Sequence, residues 1–125
     1  MNNNPKFICD HFDVHPEDES TDVINLKITN FDKHTAPHVT SGIITYLNNK
    51  GVATEAGMKI KLNMDAVEYM DEIGLCAIQM LNRLSKNNKY GAITATNCGY
   101  NTRKLLEVTH ARDSMNIEYK RNTEN

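Results

Sequence analysis

The sequence predicts an α/β fold with a single mixed, largely parallel sheet of about five strands and helices mainly on one face. Strand and helix candidates follow each other in the order β-β-α-β-α-β-α-β, and this alternation favours parallel strands joined by right-handed crossovers. Within the strand candidates, apolar and polar residues also alternate, most strictly over 58–64. A sheet covered by helices on both sides would instead show continuous apolar runs.

Length and composition are those of an ordinary globular protein. The chain has 125 residues, of which 39% are hydrophobic and 24% charged, enough for one core. We expect a single domain over residues 1–125, with residues 1–5 and 121–125 frayed. A net charge of −2 offers no basic face for phosphates, so we expect no nucleic-acid partner.

The cysteines and the apolar runs bear on location. Cys9, Cys76 and Cys98 are odd in number and form no Cys-x-x-Cys pair, which favours a reducing compartment over a disulfide framework. We expect all three to pack as small apolar groups. Residues 1–6 lack the apolar stretch of a signal peptide, and no run of about 18 apolar residues occurs. A cytoplasmic location without membrane insertion is expected.

The strand candidates lie at residues 7–14, 23–28, 58–64, 91–96 and 115–119, the first being the weakest. Between the first two, the acidic stretch 16–22 is predicted to be a loop, and an antiparallel pairing of these two strands is compatible with it.

Three helices are predicted between the strands. The first is capped by Asp32 or Thr35 and has Pro37 in its first turn, where the missing N–H does no harm. The second begins at Asp71, its simplest N-cap, and ends within 87–91; the third runs from near Asn101 to Val108. The expected apolar stripes are Ala36, Val39, Ile43 and Leu47 in the first helix, and Ile73, Ala77, Met80, Leu81 and Leu84 in the second. The third helix is expected to run through Leu105, Leu106 and Val108.

The segment 61–75 is the most informative. It ends a strand, passes through a short loop and opens a helix at the acidic pair Asp71 and Glu72. Residues 67–75 resemble the "Val-x-Phe-hydrophobic-Asp-Ser-x-Gly-Leu" loop of the STAS domain family, named for sulphate transporters and anti-sigma factor antagonists. Three further pieces resemble the family in order: Phe31-Asp32 with Thr35-Ala36, Tyr90 to Asn97, and Leu105 to Thr109. The resemblance covers about residues 23–118.

This resemblance implies a regulatory protein-binding module. In the family, the unphosphorylated antagonist binds an anti-sigma factor, and phosphorylation of the loop serine by a partner kinase breaks the complex. The expected partner is therefore an anti-sigma factor serine kinase or another STAS protein. The contact residues that the resemblance implies are Asp71, Glu72, Ile73 and Gly74, together with Asp32 and Asn97. An alternative is a soluble accessory subunit of a membrane transport system, and a ligand or nucleotide sensor is a third.

Several positions depart from the family pattern. Asn63 stands where the family usually has Asp, Thr29 where it often has Gly, and His110 where Gly commonly follows Thr109. Glu72 replaces the phosphorylated serine and has no hydroxyl, so that switch cannot operate at this position.

The sequence leaves three interpretations of Glu72 open. A carboxylate in the first turn is favourable by roughly 0.3–1 kcal/mol against the helix dipole. It can also act as a permanent partial mimic of the phosphorylated state, with less charge and fewer acceptor oxygens than phosphate. Thirdly, the chain can be an interaction module whose partner either recognises Glu72 directly or is regulated on its own side. Gly74 likewise permits close approach either by a partner or by neighbouring structure.

Metal and catalytic sites are not expected. Cys9, His11, Asp13 and His15 would share one face of a strand as a conceivable metal half-site, but exposed polar positions on an edge strand explain them as well. His34 and His38 are interpreted as solvated. The chain lacks a nucleophile elbow, a phosphate loop and a dinucleotide fingerprint, so no enzyme activity and no cofactor are predicted. The neighbouring carboxylates at 65, 68, 71 and 72 are interpreted as an acidic rim.

Overall fold

A computed structural model of the chain describes residues 5–48, 59–87 and 91–121. The strands are β1 (Phe7–Ile8), β2 (Phe12–Asp18), β3 (Thr21–Leu26), β4 (Asn30–Phe31), β5 (Lys59–Asn63), β6 (Tyr69–Met70), β7 (Ile93–Cys98) and β8 (Asn116–Tyr119). The helices are α1 (Ala36–Leu47), α2 (Glu72–Asn87) and α3 (Tyr100–Val108), and a 3-10 turn follows at Ala111–Asp113. Most of the ends predicted to be frayed, the predicted strand residue Met58 and part of the predicted stop of α2 lie outside the described residues.

The main sheet has six strands in the order β1-β2-β3-β5-β7-β8. Strands β1, β2 and β3 pair antiparallel, whereas β3, β5, β7 and β8 are parallel to their neighbours. The predicted mixed, largely parallel sheet and the helix order are therefore confirmed, with six strands instead of about five. The additional strand arises because 7–14 is not continuous: the Cys9 N–H donates to the Phe12 carbonyl at 2.9 Å and closes a turn between β1 and β2.

One hydrophobic core lies between the sheet and the helices. Each central strand contributes alternate residues to it, because successive side chains of a strand point to opposite faces. The core residues of the central strands are Phe12, Val14, Ile24, Leu26, Ile60, Leu62, Ile93 and Ala95. In α1 the four predicted stripe residues, at 36, 39, 43 and 47, are all buried, so that prediction is confirmed. Residues between the core positions are half-buried or exposed, which leaves the other face of the sheet open.

The acidic stretch 16–22 is not the loop predicted from its charge. Strand β2 continues to Asp18 and β3 begins at Thr21, so only two residues form the connection. The Asp18 carboxylate accepts the Ser20 N–H at 2.8 Å and stabilises this tight turn. Short polar side chains that can bond their own backbone make so short a hairpin connection possible.

Asp22, at the end of that stretch, is a fully buried carboxylate. Both its oxygens lie 3.0 Å from the Lys6 ammonium, and the buried Tyr46 hydroxyl also donates to it. This cluster attaches the residue before β1 to β3 and α1. A buried charge needs such partners, because an unpaired one would lose its hydration without compensation.

Helix α2 is rotated relative to the prediction. Its buried residues are Gly74, Leu75, Ile78, Leu81, Asn82 and Ser85. Of the predicted stripe, only Leu81 is buried, whereas Ile73 and Met80 are 50% and 36% exposed. In α3, Leu106 is buried, whereas Val108 is 64% exposed.

The cysteines differ from one another. Cys98 is buried and Cys9 is partly buried against the core, as predicted, but Cys76 is exposed on α2. Burial raises the pKa of the Cys98 thiol to about 12, so it stays protonated at neutral pH. In the described part of the chain, no helix has the length and apolarity needed to cross a membrane.

Candidate functional site

The short parallel pair β4–β6 brings two loops of the predicted site together. Asn30 is paired with Tyr69, and Phe31 with Met70, apart from the main sheet. The Thr29 carbonyl accepts the Glu68 N–H at 2.7 Å and anchors the same junction. The entry to α1 and the entry to α2 are therefore held side by side.

Asp71 uses both carboxylate oxygens within the protein. Its Oδ1 accepts the Gly74 N–H at 2.9 Å, which is the N-cap interaction predicted from the sequence. Its Oδ2 accepts the Lys33 N–H at 3.2 Å, across from the loop that precedes α1. Asp71 thus both caps α2 and ties it to the neighbouring loop.

Gly74 lies directly against the backbone of β4. A Cβ atom at this position would be 2.1 Å from the Phe31 carbonyl oxygen and 2.9 Å from Cγ of Met70. The close approach that glycine permits here is therefore made by neighbouring structure, the backbone of β4.

Glu72 and Ile73 are the two members of the segment left for contact with another molecule. Glu72 is the first residue of α2 and is exposed, and within the described residues it has no hydrogen-bond or ion-pair partner. Ile73 exposes half of its surface. We call these two residues, held by Asp71 and Gly74, the α2 start.

Asp32 lies beside the α2 start and organises the entry to α1. Its Oδ1 accepts the His34 N–H at 2.9 Å and the Thr35 N–H at 3.3 Å. Thr35 occupies the N-cap position without a side-chain cap bond, but its hydroxyl accepts the Asp32 N–H at 3.0 Å. Of the two predicted caps, Thr35 occupies the N-cap position of α1. The Asp32 carboxylate instead accepts backbone N–H groups of the turn that precedes the helix.

Asn97 lies at the carboxyl end of β7, and among the described residues no hydrogen bond joins its side chain to the α2 start. It has a left-handed backbone, with φ of 56°. Its Nδ2 donates to Asn63 Oδ1 at 2.9 Å, and the same oxygen accepts the Asp65 N–H at 3.1 Å. Asn97 is therefore linked through Asn63 to the loop that leads towards α2.

The open face of the sheet carries a row of linked side chains that includes Asn63. Asn63 Nδ2 donates to Asn25 Oδ1 at 2.8 Å, and Asn25 Nδ2 donates to Asp13 Oδ1 at 3.3 Å. An amide at 63 both donates and accepts in this row, whereas a carboxylate could only accept. This accounts for asparagine at a position where the family resemblance leads one to expect aspartate.

The acidic rim predicted from residues 65–72 is only partly free. Asp65 pairs with the Lys120 ammonium at 3.3 Å, and Asp71 is occupied by backbone donors. Glu68 and Glu72 remain exposed. Within residues 5–48, 59–87 and 91–121, the arrangement presents isolated carboxylates and brings no acid–base pair together at the α2 start.

The conceivable metal half-site does not assemble. Cys9 and His11 lie in the turn between β1 and β2, and only Asp13 and His15 share β2, with 3.0 Å between Asp13 Oδ1 and His15 Nε2. Among the described residues, no group of three or more His, Cys, Asp or Glu could hold a metal ion.

A groove between α1 and α2 adjoins the α2 start and was missed by sequence reasoning. It has a volume of about 540 Å³ and a mainly apolar lining that includes Pro37, Thr40, Ile44, Ile73, Ala77 and Met80. In this groove the Thr40 Oγ1 is buried and has no hydrogen-bond partner among the described residues. The sequence signal for this groove is the three- and four-residue spacing of 73, 77 and 80, which also predicts a stripe facing the core.

Solved structures similar to this chain are STAS domains and anti-sigma factor antagonists. A STAS domain protein from Planctomyces limnophilus superposes with a TM-score of 0.71 at 12% identity, over 88% of this chain and 91% of that one. An anti-sigma factor antagonist from Mycobacterium paratuberculosis gives 0.63 at 17% identity, over 97% and 92%. No protein-family model and no curated protein sequence matches the chain.

The same fold also occurs inside a transporter. The murine Solute Carrier 26 family member A9 anion transporter matches with a TM-score of 0.62 at 10% identity, over 86% of this chain but 17% of that protein. At these identities the likeness concerns the fold. The chain has the fold of STAS domain proteins, as the resemblance of residues 23–118 led us to expect.

Proposed function

We propose that this chain is a cytoplasmic, single-domain regulatory module of the anti-sigma factor antagonist kind, which binds a protein partner through the α2 start. One observation carries the proposal: Glu72 and Ile73 are exposed at a helix start that internal contacts of Asp71 and Gly74 hold in place. A preorganised surface loses less conformational freedom on binding, which favours affinity.

The proposed partner is an anti-sigma factor serine kinase or another STAS protein. Binding, and not catalysis, is proposed because the α2 start offers an exposed carboxylate beside an apolar side chain and no nucleophile paired with a base. Regulation by phosphorylation of residue 72 is excluded because Glu72 has no hydroxyl. Control of the complex would then lie with the partner or with another surface of this chain.

The first test replaces Ile73 by lysine. A tagged chain is used to purify its partner from the source cells, and the partner is identified by mass spectrometry. Ile73→Lys should reduce recovery about tenfold or more, because a charge would replace an apolar contact residue. Val108→Lys is the matched control, since Val108 is also an exposed apolar helix residue, but on α3. Equal recovery with both variants would place the contact elsewhere.

The second test replaces Glu72 by serine and measures affinity for the purified partner. If Glu72 is a permanent partial mimic of phosphate, Glu72→Ser should tighten the complex by roughly tenfold, because a repelling charge is removed. Weaker binding would show that the partner reads Glu72 directly. Unchanged affinity would contradict both the phosphate mimic and direct recognition by the partner. The favourable interaction of the Glu72 carboxylate with the helix dipole would then be its remaining role. Glu72→Gln removes the charge without adding a hydroxyl, so it shows whether an effect of Glu72→Ser comes from the lost charge or from the new hydroxyl.

A second candidate function is a soluble accessory subunit of a transport system. The match to a domain of an anion transporter favours it. The same purification distinguishes the two candidates: a permease or its ATPase as the recovered protein supports the accessory subunit, whereas a kinase or a sigma-regulating protein supports the first proposal.

A further inference from the structure

The outer side of α2 carries an unusual combination of apolar and charged residues. With about 100° of rotation per residue, Glu72, Cys76 and Arg83 fall on one stripe, and Ile73, Ala77 and Met80 fall on the stripe beside it. Glu72, Ile73, Cys76, Met80 and Arg83 are all exposed. The apolar residues border the groove between α1 and α2.

Glu72 and Arg83 are of opposite sign and lie at opposite ends of this side, and Lys86, about one turn beyond Arg83, adds a second exposed cation at the Arg83 end. Glu72 and Arg83 are separated by eleven residues, which is about three turns or roughly 16 Å along the helix. Within the described part of the chain neither side chain has an ion-pair partner. A helix running antiparallel to α2, with the same spacing of charges, would meet both of them with opposite charges.

We propose that the groove between α1 and α2 is occupied by α2 of a second copy of this chain, in a two-fold symmetric dimer. A two-fold axis at the midpoint between residues 72 and 83 places Glu72 opposite Arg83 of the second copy, and the reverse, so the surface is self-complementary in charge. Ile73, Ala77 and Met80 then pack into the groove of the second copy, next to the small side chains of α1.

The α1 side of the groove suits such an approach. Ser41 and Thr45 are small and exposed there, and the unpartnered Thr40 Oγ1 lies in the same wall. Small side chains let two helix backbones come close, within the usual interaxial distance of about 8–10 Å. The dimer would cover Ile73, so the second copy and the proposed regulatory partner would exclude each other. The dimer itself does not depend on that proposed function.

Charge reversal tests the antiparallel arrangement by sedimentation equilibrium at up to about 500 μM chain, where a dimer of mid-micromolar Kd is populated. Glu72→Arg and Arg83→Glu should each weaken dimerisation about tenfold, since each places two like-charged pairs across the axis. The double variant should restore the wild-type constant. Lys104→Glu, the same charge change on the exposed side of α3, should have no effect. Failure of the double variant to recover would overturn the arrangement.

Cross-linking supplies the second measurement. Cys76 lies within two residues of the midpoint, so its two copies are offset by about 4.5 Å along the helices. At an interaxial distance of about 8 Å, their Cα atoms can come within the roughly 4.4–6.8 Å that a disulfide spans. Diamide, which accepts the two thiol hydrogens, should give a covalent dimer of wild type and none of Cys76→Ser. A wild-type chain that stays monomeric at about 500 μM, or a dimer unaffected by Met80→Lys, would overturn the proposal. Either result would leave partner binding by the monomer intact.

Discussion

Replacing Gly74 by alanine should lower the free energy of unfolding by about 3 kcal/mol, because the added methyl group would overlap the backbone of β4. Its Cβ would be 2.1 Å from the Phe31 carbonyl oxygen and 3.0 Å from the Phe31 carbonyl carbon. Backbone atoms cannot move aside as the end of a side chain can, and Phe31 is itself paired with Met70. Urea denaturation followed by circular dichroism measures the loss.

Gly99→Ala is the matched control for that experiment. Gly99 precedes α3 with a φ of −80°, and the nearest atom to an added Cβ is the Lys120 ammonium at 4.0 Å. This substitution should change stability by no more than about 1 kcal/mol, the range of an N-cap effect. Similar losses for the two variants would mean that the contact between α2 and β4 is looser than described.

Replacing Lys6 by methionine should be comparably damaging, at about 3 kcal/mol, although Lys6 lies next to the chain end. The substitution keeps most of the apolar stem but removes the ammonium that meets both oxygens of Asp22 at 3.0 Å. Asp22 is fully buried, so it would keep Tyr46 as a donor but lose its counter-charge. The measurement is again the free energy of unfolding in urea at neutral pH.

Two comparisons identify the buried charge as the cause. Asp22→Asn should lower the free energy of unfolding by less than Lys6→Met does, because it removes the buried charge itself. The ammonium of Lys6, whose side chain is 28% exposed, can then be hydrated by solvent. Lys27→Met should change the free energy of unfolding by no more than about 0.5 kcal/mol. Lys27 is more exposed than Lys6, and its ion pair with Asp13 is longer, at 3.8 Å. If Lys6→Met were as mild as Lys27→Met, Asp22 would have to be solvated or neutral in the folded protein.

Local patterns were sufficient for much of the site. An aspartate directly before a helical periodicity predicted the N-cap at Asp71, because its carboxylate can reach the free N–H groups of the first turn. The apolar stripe of α1 was also correct. The prediction of a loop over the acidic stretch 16–22 was wrong, because it was based on charge density. The pairing of β2 with β3 depends instead on the alternation of side chains and on the turn at Asp18.

The buried cluster at Asp22 could not be foreseen from any local pattern. Its partners, Lys6 and Tyr46, lie 16 and 24 residues away in sequence. Only the packing of three separate elements brings them together. The contact that requires glycine at 74 is likewise made with Phe31, in a distant strand.

The order of strands and helices, the sheet alternation and the helix start at Asp71 could be predicted from the sequence, since these depend on residues close together in the chain. Which side of α2 is buried depends instead on contacts between elements that are distant in sequence. Two apolar stripes run along that helix, one through Ile73 and Met80 and the other through Leu75 and Ile78, and periodicity alone permits either to face the core. The close contact of Gly74 with Phe31 sets the rotation, which leaves Glu72 and Ile73 at the surface.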